Sequence, residues 1–186
     1  MKLKTLFLST ALVAGSLSAT AFAADGTIHF TGALVDAPCV INSADLEQTI
    51  NLGQVKINQF TAAGETADVV PFTFRLENCN LTDPADPSTN KWSKVAVTFT
   101  GLNDADNSQL LGLVPGADTA TGIAVQLVER DRTTPIQLGV ASQDIDLLDQ
   151  EEQELVYFAR YMSTKAPADM VAGSANANTD FTLSYK

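Results

Sequence analysis

Residues 173–186 alternate without a break. Ala175, Ala177, Thr179, Phe181, Leu183 and Tyr185 fall on one side, and Ser174, Asn176, Asn178, Asp180, Thr182 and Ser184 on the other. A period of two over such a length specifies a half-buried β-strand, because successive side chains of a strand point to opposite faces. The alternation runs to the end of the sequence, so this expected strand needs another segment to cover one of its backbone edges. Terminal segments fray unless they are tied into a sheet. The feature commits the chain to a sheet fold whose last strand is built for docking.

The remainder reads as more strands. Phe72, Phe74 and Leu76 alternate just before Cys79; Val95, Val97 and Phe99 form another face, ended by Gly101. Ile123, Val125 and Leu127 precede the charged turn Glu129, Arg130, Asp131 and Arg132, and Leu155, Tyr157, Ala159 and Tyr161 follow later. Shorter candidates are residues 50–55 and 136–140, and residues 147–154 carry a weak hint of a helical turn. Short alternating runs separated by Asp-, Asn- and Pro-rich turns predict an all-β sandwich.

At the front, Lys2 and Lys4 precede an apolar run, and Ala21, Phe22 and Ala23 fit the small-x-small rule for signal peptidase. Residues 1–23 are therefore expected to be a signal peptide of an exported chain, the run being shorter than the roughly 20 apolar residues of a membrane span. Their removal takes away two lysines and no acid, moving the formal charge from −11 to −13. So acidic a surface disfavours nucleic acid and anionic lipid as partners and favours a basic groove. The roughly 160 residues left suit one domain.

Two cysteines in an exported chain, Cys39 and Cys79, can form only one internal pair. Closing that loop would stabilise the fold by roughly 4 kcal/mol in the chain-entropy view. Chemistry finds few candidates. Two cysteines and one histidine, His29, are too few for a zinc site. His29 falls on the outward face of its segment, where a hydrolase triad is not expected. Asn103, Asp104, Asp106 and Asn107 lack the glutamate that closes an EF-hand loop, so a solvated turn is expected there. The reading is no enzyme and no cofactor.

One segment is superfluous to a closed domain. Ile28, Phe30 and Leu34 alternate with His29 and Thr31 ahead of the first cysteine, and the apolar side of that segment includes Gly32. A glycine within a strand often marks close approach of another backbone. The chain thus carries a spare strand at its front and an uncovered strand at its back.

Together these features resemble the structural subunits of chaperone–usher fimbriae, in particular the type 1 pilin family. The matching stretches are residues 26–32 with residues 35–39, and residues 74–79 around the second cysteine. Phe99, Thr100 and Gly101 with Asp104, Asn107 and Leu110 follow, then residues 122–127, residues 155–161, and a terminus with Gly173 fourteenth from the end and Tyr185 next to last. The resemblance implies an incomplete immunoglobulin-like β-sandwich that lacks its last strand and is completed by a donor strand from another subunit. It implies residues 24–36 as an N-terminal donor-strand extension, with Ile28, Phe30, Gly32 and Leu34 facing the receiving groove, and residues 37–186 as the pilin domain. Gly173, Phe181, Leu183, Tyr185 and Lys186 would form the acceptor groove and the chaperone contact. The implied partners are copies of the chain or related pilins, a periplasmic chaperone and an outer-membrane usher, and the implied destination is a surface fimbria that supports cell adhesion.

A minor adaptor subunit of the same system would carry the same parts. A tip adhesin would, by the same resemblance, carry an extra lectin domain and lack the donor extension. A copper–zinc sandwich enzyme would need more histidines than one.

Overall fold

A computed structural model describes residues 28–32, 34, 37–83 and 85–186. The expected signal peptide, and the part of the extension at residues 24–27, 33, 35 and 36, lie outside the described residues. Residues 1–35 and 36–186 form separate units. In the first, Ile28, Phe30 and Leu34 are 78%, 92% and 102% exposed, and the described residues take part in no strand. The spare segment is thus unpaired here. Its alternation needs a partner before it can become a ladder.

Among the described residues the second unit contains eight strands. β1 is Val40–Ile41, β2 Val70–Glu77, β3 Lys94–Gly101, β4 Ile123–Val128, β5 Pro135–Ile136, β6 Ile145–Asp146, β7 Gln153–Ser163 and β8 Thr179–Tyr185. They make two antiparallel sheets, ordered β1-β2-β7-β4-β5 and β6-β3-β8. In the larger sheet Phe72 stands opposite Tyr157 and Phe74 opposite Leu155. β7 continues on its other edge with Val125 opposite Tyr161. In the smaller sheet Val97 faces Leu183 and Phe99 faces Phe181.

The alternating apolar residues of both sheets meet in one core. Leu76, Val95, Val97, Phe99, Leu155 and Tyr157 are fully buried. Phe72, Phe74, Phe99 and Tyr157 form an aromatic cluster that joins the sheets, with Phe99 and Tyr157 edge to face at 5.5 Å. Burying the Tyr157 hydroxyl requires a partner, and Ser142 Oγ lies 3.0 Å away while also accepting the Val97 N–H at 2.9 Å. The fold is all-β, an incomplete immunoglobulin-like sandwich whose smaller sheet stops at β8.

A disulfide joins Cys39 to Cys79, just outside the β1–β2 pair. Nearby, Asp45 accepts the backbone N–H and the guanidinium of Arg75, at 2.8 and 2.9 Å. Those hydrogen bonds from Arg75 hold the Asp45 carboxyl below the usual carboxylate range. Its stabilisation is present above pH about 4 and is lost as pH falls through the lowered value.

Three local expectations are corrected. Residues 50–55 form no strand, because nothing among the described residues pairs with them. Residues 136–140 contribute only the end of β5; the Val140 N–H then turns back to the Gln137 carbonyl, with Gly139 at φ 76°. Residues 147–154 are not helical, since Leu147 donates to the Ser93 carbonyl and β7 has begun by Gln153, opposite Leu76.

Glu129, in the charged turn, is only 5% exposed. Its carboxylate accepts the Gln143 N–H at 2.7 Å and joins none of the ion pairs among the described residues. Burial pushes its carboxyl up. A raised acid makes the folded state lose stability as pH climbs from the ordinary carboxylate value to the raised one, so ionised Glu129 opposes folding near pH 7. Glu129→Gln keeps the acceptor and removes the charge. The variant is expected to melt higher than the parent at pH 7, with the gain vanishing near pH 4 where the parent carboxyl is protonated. Thermal unfolding at the two pH values measures it.

Candidate functional site

β8 is built by its alternation and left half-finished. Its inward residues Phe181, Leu183 and Tyr185 are each half-buried although they pack on the core, and Ala175 and Ala177 continue the same face. The Phe181 ring lies 4.2 Å from Phe74. One edge of β8 is bonded to β3 from Val95–Tyr185 to Gly101–Thr179. The other edge has no strand beside it among the described residues. An uncovered edge leaves a row of backbone N–H and C=O groups without partners.

A second segment also lacks backbone partners. Residues 47–55 make no backbone–backbone hydrogen bond among the described residues, although Ile50, Leu52 and Val55 are half-buried and Leu52 and Val55 pack on the core. Residues 53–55 and residues 171–176 both line a cavity of about 380 Å³. Ile57, Phe60, Ile123 and Tyr161 complete its apolar lining. This cavity, bordered by residues 47–55 that lack backbone partners and by the segment leading into β8, together with the uncovered edge of β8 marks out a slot.

The ends of the slot are fixed by specific contacts. Tyr161 donates its hydroxyl to the Ala175 carbonyl at 2.9 Å, tying the approach to β8 against β7. A Cβ on Gly173 would sit 2.3 Å from the Asp118 carbonyl oxygen and 2.7 Å from the Ala120 nitrogen. Only glycine permits this approach, which the bonds Ser174 N–H to Asp118 O and Ala120 N–H to Ser174 O lock in place. At the other end the Lys186 carbonyl oxygen accepts the N–H groups of Ser93 and Lys94, and its ammonium meets Asp144 at 2.6 Å. The Tyr185 hydroxyl is buried without a partner, and burial pushes its pKa up to about 12.

Phe181, Leu183, Tyr185 and Lys186 therefore stand together on or beside β8, and Gly173 anchors the segment leading into it. Ile28, Phe30, Gly32 and Leu34 belong to the other unit; a Cβ on Gly32 would meet nothing within 4 Å. Cys39 and Cys79 flank the β1–β2 pair and do not line the cavity. Sequence reasoning overlooked Val55, Ile57, Phe60 and Met170 as lining residues. Only the alternation of residues 50–55 hinted at any of them. Asp104 accepts the N–H groups of Asp106 and Asn107, and Asp106 pairs with Lys165, so that segment is a self-capped turn.

The sequence matches the model of the family described as "Fimbrial protein" over residues 28–186. It is 35% identical to Long polar fimbria protein A of Salmonella typhimurium, over 98% of this chain and 97% of that one. It is 33% identical to the type-1 fimbrial protein A chain of Escherichia coli, over 100% of both. Among solved structures, the P pilus rod subunit PapA superposes with a TM-score of 0.64 at 23% identity, over 81% of this chain and all of that one, a likeness in fold.

Proposed function

The chain belongs to the fimbrial protein family, and from that premise we propose that it is a structural subunit of a surface fimbria that polymerises by donor-strand exchange. In this reading residues 1–23 direct export, residues 24–36 are the strand each subunit gives, and residues 37–186 are the pilin domain that receives one. A periplasmic chaperone fills the slot first and delivers the subunit to an outer-membrane usher. The next subunit's extension then replaces the chaperone's strand, and the finished fibre supports cell adhesion.

One observation carries this reading: β8 has a half-buried apolar face and an unbonded edge, and residues 47–55, some of which share a cavity with the segment leading into β8, also lack backbone partners. An inserted strand would satisfy both rows and bury alternate side chains between them, the mode of strand addition known from pilins. Phe181, Leu183 and Tyr185 would line the receiving face, with Gly173 and Lys186 at its two ends and Lys186 at the chaperone contact. Ile28, Phe30 and Leu34, all exposed here, supply anchors of the right spacing. The main rod subunit is favoured over an adaptor, because the type-1 A chain is matched along its whole length.

Gly32→Leu tests the proposal. No atom surrounds Gly32 in the free chain, so the substitution leaves the folded domain undisturbed. In the joint, a leucine would stand where the two backbones must approach most closely. The variant is expected to reach the chaperone-bound state normally and to give few or no fibres by electron microscopy. Fibre yield equal to the parent's would remove the donor role from this segment.

A further inference from the structure

The sequence has three methionines, and two of them, Met162 and Met170, lie in the described residues. They sit in different surroundings. The Met162 sulfur accepts a hydrogen bond from Gln126 Nε2 at 3.2 Å and does not line the cavity. Met170 lines the cavity beside the segment leading into β8, together with Val55, Ile57, Phe60, Ile123 and Tyr161. It is half-buried, packs on the core, and follows the turn Pro167–Asp169. Its Cγ lies 2.9 Å from where a Cβ on Gly122 would stand, so its stem is held tightly against that glycine.

We propose that Met170 is an oxidation site that controls strand entry, resting on the reading of this slot as a strand acceptor. With the slot empty, the half-exposed thioether is open to a hydroperoxide. A sulfur lone pair attacks the peroxide oxygen, the O–O bond breaks and an S–O bond forms. The released hydroxide takes the remaining proton as water, so sulfur is oxidised by two electrons and the peroxide is reduced. The product is polar, chiral and larger than the thioether. Placed among aliphatic and aromatic lining residues, it opposes an incoming apolar side chain. A seated strand covers the same sulfur and protects it. Oxidation therefore separates two populations: vacant subunits lose the ability to accept a strand, and assembled subunits keep theirs.

The experiment uses the exported full-length subunit with its slot open, a labelled peptide of residues 25–36, and hydrogen peroxide. Sulfoxide at each methionine is followed by peptide mass mapping, and peptide uptake by fluorescence anisotropy. Peptide-loaded subunit is expected to oxidise at Met170 about tenfold more slowly than vacant subunit, while Met162 oxidises at one rate in both. Peroxide pretreatment should slow uptake about tenfold, and methionine sulfoxide reductases should restore it. Met170→Leu, whatever its own uptake rate, should show the same rate before and after peroxide; Met162→Leu should stay as sensitive as the parent. Untreated parent that takes up no peptide would overturn the acceptor reading and this proposal together. Normal uptake that peroxide leaves unchanged, or a Met170→Leu variant as peroxide-sensitive as the parent, would overturn the role of Met170 alone.

Discussion

A chain lacking residues 24–36 is expected to fold, to accept a donor strand and to end every fibre that it enters. Among the described residues, those of the buried core all lie from Cys39 onward, so the deletion is expected to leave the sandwich standing. What it removes is the set of large apolar side chains Ile28, Phe30 and Leu34, each more than three-quarters exposed in the free chain. Full burial of such side chains is worth roughly 1.5–3 kcal/mol each. Three of them give roughly 5–9 kcal/mol, a factor of about 10³ to 10⁶ in the stability of a joint, before any backbone ladder is counted. The shortened chain alone should yield no polymer on a denaturant-free gel. Mixed with full-length subunit, it should shorten the fibres in proportion to its share. Long homopolymers of the deleted chain would show that some other segment links the subunits.

Phe99→Ala should have the largest effect on the fold itself. The ring is fully buried, packs edge to face on Phe72 and Tyr157, and stands opposite Phe181 in the ladder that holds β8. Removing a buried phenylalanine costs about 3–5 kcal/mol, since surrounding side chains collapse only partly into the cavity. Against a total stability of about 5–15 kcal/mol, that loss can unfold the subunit. Urea denaturation of the peptide-bound protein measures it. Phe181→Ala provides the contrast: this ring is half-exposed, so its removal should cost the fold less and peptide affinity more. Equal losses at both positions in both measurements would mean that β8 has no free face.

Period-two alternation was enough to locate β2, β3, β4 and β7 within a few residues, because each carries one strongly apolar side toward a shared core; of the alternating run 173–186 only Thr179–Tyr185 became strand β8, while residues 173–178 form a bent, bridged approach to it. It gave no account of β4's second face, where Ala124, Gln126 and Val128 are also buried. Gln126 is accommodated there by accepting from Arg160 Nε at 2.9 Å and donating to the Met162 sulfur, contacts made by distant residues. Residues 50–55 have strand-like alternation and no ladder, since pairing depends on a partner that local sequence does not contain. Residues 147–154 hinted at a helical turn through their leucines and acids, yet the register of Gln153 opposite Leu76 decides the outcome. For the slot, the face of β8 was legible and the opposite wall was not. Ile57, Phe60 and Met170 converge on it from loops far apart in sequence. Glu129 looked like one more solvated charge in a turn, and only the packed structure reveals its burial.

In the proposed assembly, β8 is at once a wall of the domain and the seat of its neighbour's strand. Whatever binds only the folded form adds to its stability by mass action. Under the proposed assembly, a unit whose seat is filled is harder to melt than one whose seat is vacant. A filament then has a weak end, fixed by the polarity of donor and receiver. Heat or detergent should erode it from that end inward, one unit at a time, while the shaft between stays intact.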